Sequence, residues 1–193
     1  MQLSRSNITL RYPRPSDGER LFELARDPAV TGWFSWGPYE ARSQADRWIG
    51  GCEDARERGH DLAFVIEDQN AGIVGVTSLN ELSPRDRRAA VGTWIGREWW
   101  GTGINAQSKT LIFHLAFELC GLRRLTAYSD VENERSTRAL ERVGFTREGT
   151  LRRWHRHGDV EHDVHIFRLL PEEWPTASDV IVDGEPPPAW SGI

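Results

Sequence analysis

At 193 residues and 22.0 kDa, with 38% hydrophobic and 27% charged side chains, the chain can bury a real core within one domain. A formal net charge of -5 argues against a general nucleic-acid binder. No apolar N-terminal stretch marks a signal peptide, and no apolar run of about eighteen residues marks a membrane span. Cys52 and Cys120 form neither a disulfide framework nor a metal-binding spacing, which points to a reducing compartment, the cytoplasm.

Residues 3–11 alternate apolar and polar side chains as a strand does, and Pro13 and Pro15 end it. Ser16 is placed to cap a helix through Ala25, which Asp27-Pro28 breaks. An aromatic loop follows over residues 33–39, then a mostly polar helix over 40–58 with Ala45, Trp48 and Ile49 as its buried stripe. Residues 62–66 and 73–79 form an antiparallel hairpin, and 80–88 read as a polar linker. Next come a strand over 89–95, a helix over 106–120 capped by Asn105, a strand over 123–129 and a helix from Asn133 to Val143. That order requires a parallel crossover, hence an α/β (α+β) domain with a mixed sheet. A last hairpin (148–157 and 160–170) completes a domain of residues 1–174. Residues 175–193, polar and proline-rich, read as a poorly ordered or surface-laid tail.

The stretch from Trp94 to Ala106 joins strand to helix through Gly101 and Gly103. Two glycines at a helix N-terminus uncover backbone N–H groups and let an anion approach closely, the recipe for a phosphate site. Glycines alone favour the other reading, a plain strand-to-helix turn.

Three features in this order, the loop and its helix, Asn133-Glu134-Arg135-Ser136, and Gly144-Phe145, resemble the GNAT superfamily of acetyl-CoA-dependent acetyltransferases. The branch most resembled is the RimJ/RimL ribosomal-protein N-acetyltransferase type, with its aromatic pair (Trp99-Trp100), Asn-x-x-Ser, and closing Leu170-Pro171-Glu172-Glu173-Trp174. The resemblance implies a single domain whose mixed, splayed sheet holds acetyl-CoA between the strands ending at Trp94 and Ser129, with helices flanking it. It implies that Trp94, Ile95 and Gly96 pair with the pantetheine, and that Gly101, Thr102, Gly103, Ile104, Asn105 and Ala106 hold the pyrophosphate. Asn133 would meet the pantetheine and Ser136 the thioester sulfur. Leu140 stands where many relatives carry a tyrosine acid, so Ser136 becomes the candidate acid, unless the thiolate leaves without one.

The attacking amine must be neutral, which calls for a base. The resemblance puts that position near His155, beside four arginines on the last hairpin; Glu81 and Asp163 are alternatives. Four histidines (His155, His157, His162, His165) raise a metal site geometrically, but no zinc-like spacing supports one, and none is expected. The acceptor pocket would be bounded by the aromatic loop (Trp33, Trp36, Tyr39), the linker with Glu81, and the hairpin with Asp163. Aromatic, arginine and histidine side chains there favour a peptide or protein N-terminus, or an amino-acid-like amine, over a polycation. The expected partners are acetyl-CoA and that amine, with no membrane or nucleic acid and a homodimer left open. The rival reading is a non-catalytic acyl-CoA-binding module.

Overall fold

The computed structural model describes residues 1–190. Nine strands form one sheet: β1 Gln2–Arg5, β2 Ile8–Arg11, β3 Asp61–Asp68, β4 Gly72–Ser83, β5 Arg88–Ile95, β6 Arg124–Asp130, β7 Thr146–His157, β8 Val160–Leu169 and β9 Ile181–Asp183. Their order is β7-β8-β6-β5-β4-β3-β2-β1-β9, and only β5 and β6 run parallel. The helices are α1 Gly18–Ala25, the single turn α2 Pro28–Thr31, α3 Arg42–Glu57, α4 Ile104–His114 and α5 Glu134–Arg142.

The central strands alternate between two cores. Leu62, Phe64, Ile66, Leu79, Val91 and Ile95 pack with Leu111, Ile112 and Phe113 of α4. Val65 and Val76 pack instead with Leu21, Leu24, Ala45 and Ile49 of α1 and α3. Each fully buried side chain of this size contributes about 1.5–3 kcal/mol. The sheet is thus covered on both faces, with α4 on one and the α1–α3 pair on the other.

Four expectations are corrected. The first strand is a hairpin, β1 and β2, because the chain reverses at Ser6, whose φ is 53°. The 80–88 linker is mostly strand: β4 runs on to Ser83, pairing irregularly with β5, and Glu81 (φ 51°) lies at that irregularity. Asn105 does not cap α4; Gly103 does, at φ 90°, a conformation open to glycine, and Asn105 falls in the first turn. Beyond residue 174 the chain returns as β9 to pair with β1, and Trp190 is fully buried, its Nε1 donating to the Arg56 carbonyl at 3.1 Å. That indole, rather than the polar composition around it, fixes the segment.

One carboxylate is buried at odds with its chemistry. Asp61 opens β3 with Oδ1 buried and unpaired, and burial lifts its pKa to about 6 despite the nearby Ser78 hydroxyl.

Candidate active site

β5 and β6 pair only from Arg88↔Arg124 to Ala90↔Thr126. Both strands continue, to Ile95 and Asp130, so they part and leave a cleft between them. The cavity measures about 380 Å³ and is lined by β5 from Val91 to Ile95, by the start of α4, by Tyr128 of β6, and by α5. Residues 30, 33 and 34 close one end.

The strand-to-helix loop is built to leave amides uncovered. Trp100 Nε1 donates to the Ile95 carbonyl at 2.7 Å, and Thr102 Oγ1 donates to the Trp99 carbonyl at 2.8 Å, folding the loop back on itself. Gly101 (φ 77°) and Gly103 have no atom within 4 Å of where a Cβ would stand, so the space before them is open. The first intrahelical bond runs from Gln107 N to the Gly103 carbonyl at 3.1 Å. The N–H groups of Ile104, Asn105 and Ala106 therefore precede the helical ladder, and no side chain caps them. An anion fits there on both geometry and helix dipole.

The opposite wall is the first turn of α5. Asn133 caps the helix, its Oδ1 accepting from Ser136 N at 3.1 Å, and both residues line the cleft with Leu140. The cap explains Asn133 structurally and leaves its Nδ2 available as a donor. Arg135 reaches across, its guanidinium 3.6 Å from the Trp100 ring centroid. Burial lowers its pKa, and no carboxylate pairs with it among the described residues.

The acceptor-side residues divide. Trp33 lines the cleft, while Trp36 stacks on Phe34 at 5.0 Å, tilts on Tyr39 at 5.3 Å, and approaches Trp94 at 6.3 Å. Glu81 accepts a hydrogen bond from the Tyr128 hydroxyl at 3.1 Å, and Tyr128 lines the cleft. Burial first, then Glu81, pushes that phenol up to about 12, so it stays protonated at neutral pH. His155 does not line the cleft; its ring packs edge-on against Tyr128 at 6.0 Å. Asp163 is also outside it, accepting from Arg152 Nη1 at 2.6 Å and Arg153 N at 2.8 Å. It borders an open depression of about 850 Å³ at the hairpin tip, larger than the cleft but held by ion pairs and remote from the α4 amides. Among the described residues no group of three or more His, Cys, Asp or Glu could hold a metal ion, and no helix is long and apolar enough to cross a membrane.

Lys109 and Arg135 escape the sequence reading, although both line the cleft. Arg135 sits inside the motif as a spacer between Asn133 and Ser136, and Lys109 sits in the apolar run of α4. Spacing from the loop could have found the lysine, which lies six positions after Gly103.

Residues 7–146 match the acetyltransferase (GNAT) domain family. The chain belongs to that family. It is an acyl-CoA-dependent N-acetyltransferase with acetyl-CoA as its donor, which removes the non-catalytic reading. It is 32% identical over 176 residues to YdaF of Bacillus subtilis (strain 168), covering 87% of this chain and 93% of that protein. It is 29% identical over 139 residues to the ribosomal-protein-serine acetyltransferase of Escherichia coli (strain K12), covering 71% and 76%. It is 27% identical over 151 residues to the spermidine N(1)-acetyltransferase of the same organism, covering 77% of each. Among solved structures, Mycobacterium smegmatis RimJ in complex with CoA-disulfide superposes with a TM-score of 0.80 at 22% identity, covering 92% of this chain and 90% of that one. That likeness concerns the fold.

Proposed function

We propose that this GNAT domain acetylates the α-amine of a peptide or protein N-terminus, or of an amino-acid-like metabolite. The observation carrying this reading is the Tyr128–Glu81 pair at the cleft edge, with the aromatic group of Trp33, Phe34 and Trp36 nearby. A carboxylate behind a phenol suits an amine that must lose a proton, and an aromatic wall suits the first side chain of a peptide. In this reading Glu81, relayed through Tyr128, is the base. His155 meets the rings of Tyr128 and His157 and does not line the cleft.

The donor side follows the same logic. The amides of Ile104, Asn105 and Ala106 would take the pyrophosphate, and Asn133 Nδ2 the pantetheine. The freed edge of β5 at Trp94 and Ile95, with Gly96 just after it, would pair with the pantetheine amides. Ser136 is then close to the thioester. Free, buried Cys52 and Cys120 fit work in a reducing cytoplasm.

A polyamine is the second reading, and one observation favours it. The hairpin arginines are neutralised: Arg152 by Asp163 at 2.6 Å, Arg153 by Glu161 at 3.3 Å and Arg156 by Asp159 at 2.9 Å. Their expected repulsion of a polycation is therefore weak. Release of CoA measured with DTNB over N-terminal peptides, amino acids and spermidine separates the two. Turnover with peptides or amino acids should exceed that with spermidine at equal concentration. Spermidine turnover with none on peptides would overturn the α-amine reading.

A further inference from the structure

Lys109 is the only lysine in the sequence, where lysine and arginine together number 24. It stands in the second turn of α4, is 3% exposed, and donates from Nζ to Thr93 Oγ1 at 2.6 Å. Thr93 Oγ1 is itself 2.7 Å from both Thr77 Oγ1 and the Gly92 carbonyl. Among the described residues no carboxylate pairs with the ammonium. The titratable groups lining the same cleft are Tyr128, with Glu81 behind it, and Arg135 and Arg142 of α5.

A buried cation without a counter-ion is costly, and burial alone pulls the Lys109 pKa down to about 7. Such a group makes chemical sense where an anion arrives. The acetyl-transfer reaction brings two kinds, the phosphates of the donor and the thiolate it leaves. The phosphates have the open α4 amides and Arg135. Lys109 lies three residues beyond the last of those amides, in the second turn of α4, against β5, in the cleft that also holds Ser136 and Leu140.

We propose that Lys109 receives the departing CoA sulfur as a thiolate, pairing its ammonium with the leaving group that Leu140 cannot protonate. The inference rests on the acetyl-transfer reading. The acceptor nitrogen forms its bond to the acetyl carbon as the carbon–sulfur bond breaks. Sulfur leaves with the electron pair and rests against the Lys109 ammonium. The proton lost by the acceptor nitrogen passes to the base and then to water, and nothing is oxidised or reduced. Ion pairing in a water-poor cleft favours the charged sulfur over the thiol.

The test reads the sulfur rather than turnover. Bound CoA is titrated through the far-ultraviolet absorbance of its thiolate, in difference spectra against desulfo-CoA. Acetyl-CoA affinity is measured alongside by calorimetry. The native protein should hold the bound thiol below about 7.5, against about 8.5 for an ordinary thiol. Lys109→Met should return it to the ordinary value or above and weaken CoA about ten-fold, with acetyl-CoA affinity changed less than about two-fold. Lys109→Arg keeps the charge and should keep part of the effect. An unshifted thiol on the native protein overturns the proposal whatever the variants do, and so does equal titration in native protein and Lys109→Met. In both cases intact acetyl-CoA binding leaves the acetyl-transfer reading standing. Loss of acetyl-CoA binding by the native protein removes both. Acetylation of Lys109 itself, seen by intact mass and peptide mapping, would also overturn the proposal, since it makes the side chain a nucleophile.

Discussion

The Arg135 guanidinium lies 3.6 Å from the centroid of the Trp100 ring, joining the first turn of α5 to the loop before α4 across the mouth of the cleft. Stacking orients the planar cation while leaving its N–H edges free for phosphate. Arg135→Ala should weaken acetyl-CoA binding about ten-fold, and the salt dependence of binding should fall with it. Calorimetry at two salt concentrations checks this. Unchanged affinity would show that the arginine only braces the loop.

Gly103 begins α4 at φ 90° with open space before it. Gly103→Val should cost about 1–3 kcal/mol of stability from backbone strain alone. It should also reduce acetyl-CoA affinity more than about ten-fold, because the new side chain stands where the anion would sit. Urea unfolding and calorimetry separate the two effects. A destabilised protein that binds acetyl-CoA normally would argue against the anion site.

Glu81 is engaged by the Tyr128 hydroxyl at 3.1 Å. Glu81→Gln keeps a hydrogen-bond acceptor but removes the base, so kcat on the best acceptor should fall about 10²–10⁴-fold with acetyl-CoA affinity unchanged. His155→Gln should leave kcat within a few-fold. The reverse ranking in steady-state kinetics would hand the base to the histidine.

Asp61 carries a pKa raised from 3.8 to about 6 by burial. The folded state therefore binds more protons than the unfolded chain between those values, and stability falls as pH rises through that window. Asp61→Asn should stabilise the protein by about 1–3 kcal/mol at pH 7 and by far less at pH 4. Urea midpoints at the two pH values check the sign. An equal shift at both would mean the carboxylate is not the cause.

Trp190 is fully buried and donates to the Arg56 carbonyl. Trp190→Ala should cost about 3–5 kcal/mol, seen as a clear drop in melting temperature. A negligible change would return the segment after residue 174 to the role of a passive tail.

Much of the backbone geometry around the cleft was legible because its signals are local. Gly101 and Gly103 mark a turn by their own backbone freedom, and Asn133 marks a helix start by what its side chain can accept. The N-terminus of α4 was misplaced by two residues, because Asn105 is also a good cap. Only a φ of 90° at Gly103 decides between them. The extension of β4 through Glu81 depends on pairing with β5, and the docking of Trp190 depends on α3. Both are long-range contacts that no window of sequence contains. Lys109 is the instructive miss. Within α4 it is an ordinary helix former, and its burial against Thr93 follows from how α4 lies on β5.

Apart from six histidines, the other basic side chains of this protein are all arginine, and the one side-chain amine is shut inside the cleft. Guanidinium groups do not react with thioesters as amines do, so the outer face is chemically inert toward the protein's own donor. Spontaneous acylation, which erodes lysine-rich surfaces, has almost nothing to attack. The same property leaves an amine-reactive dye almost no side chain to label. One lysine introduced at a chosen surface position would thus give a fluorophore or tether a nearly unique point of attachment.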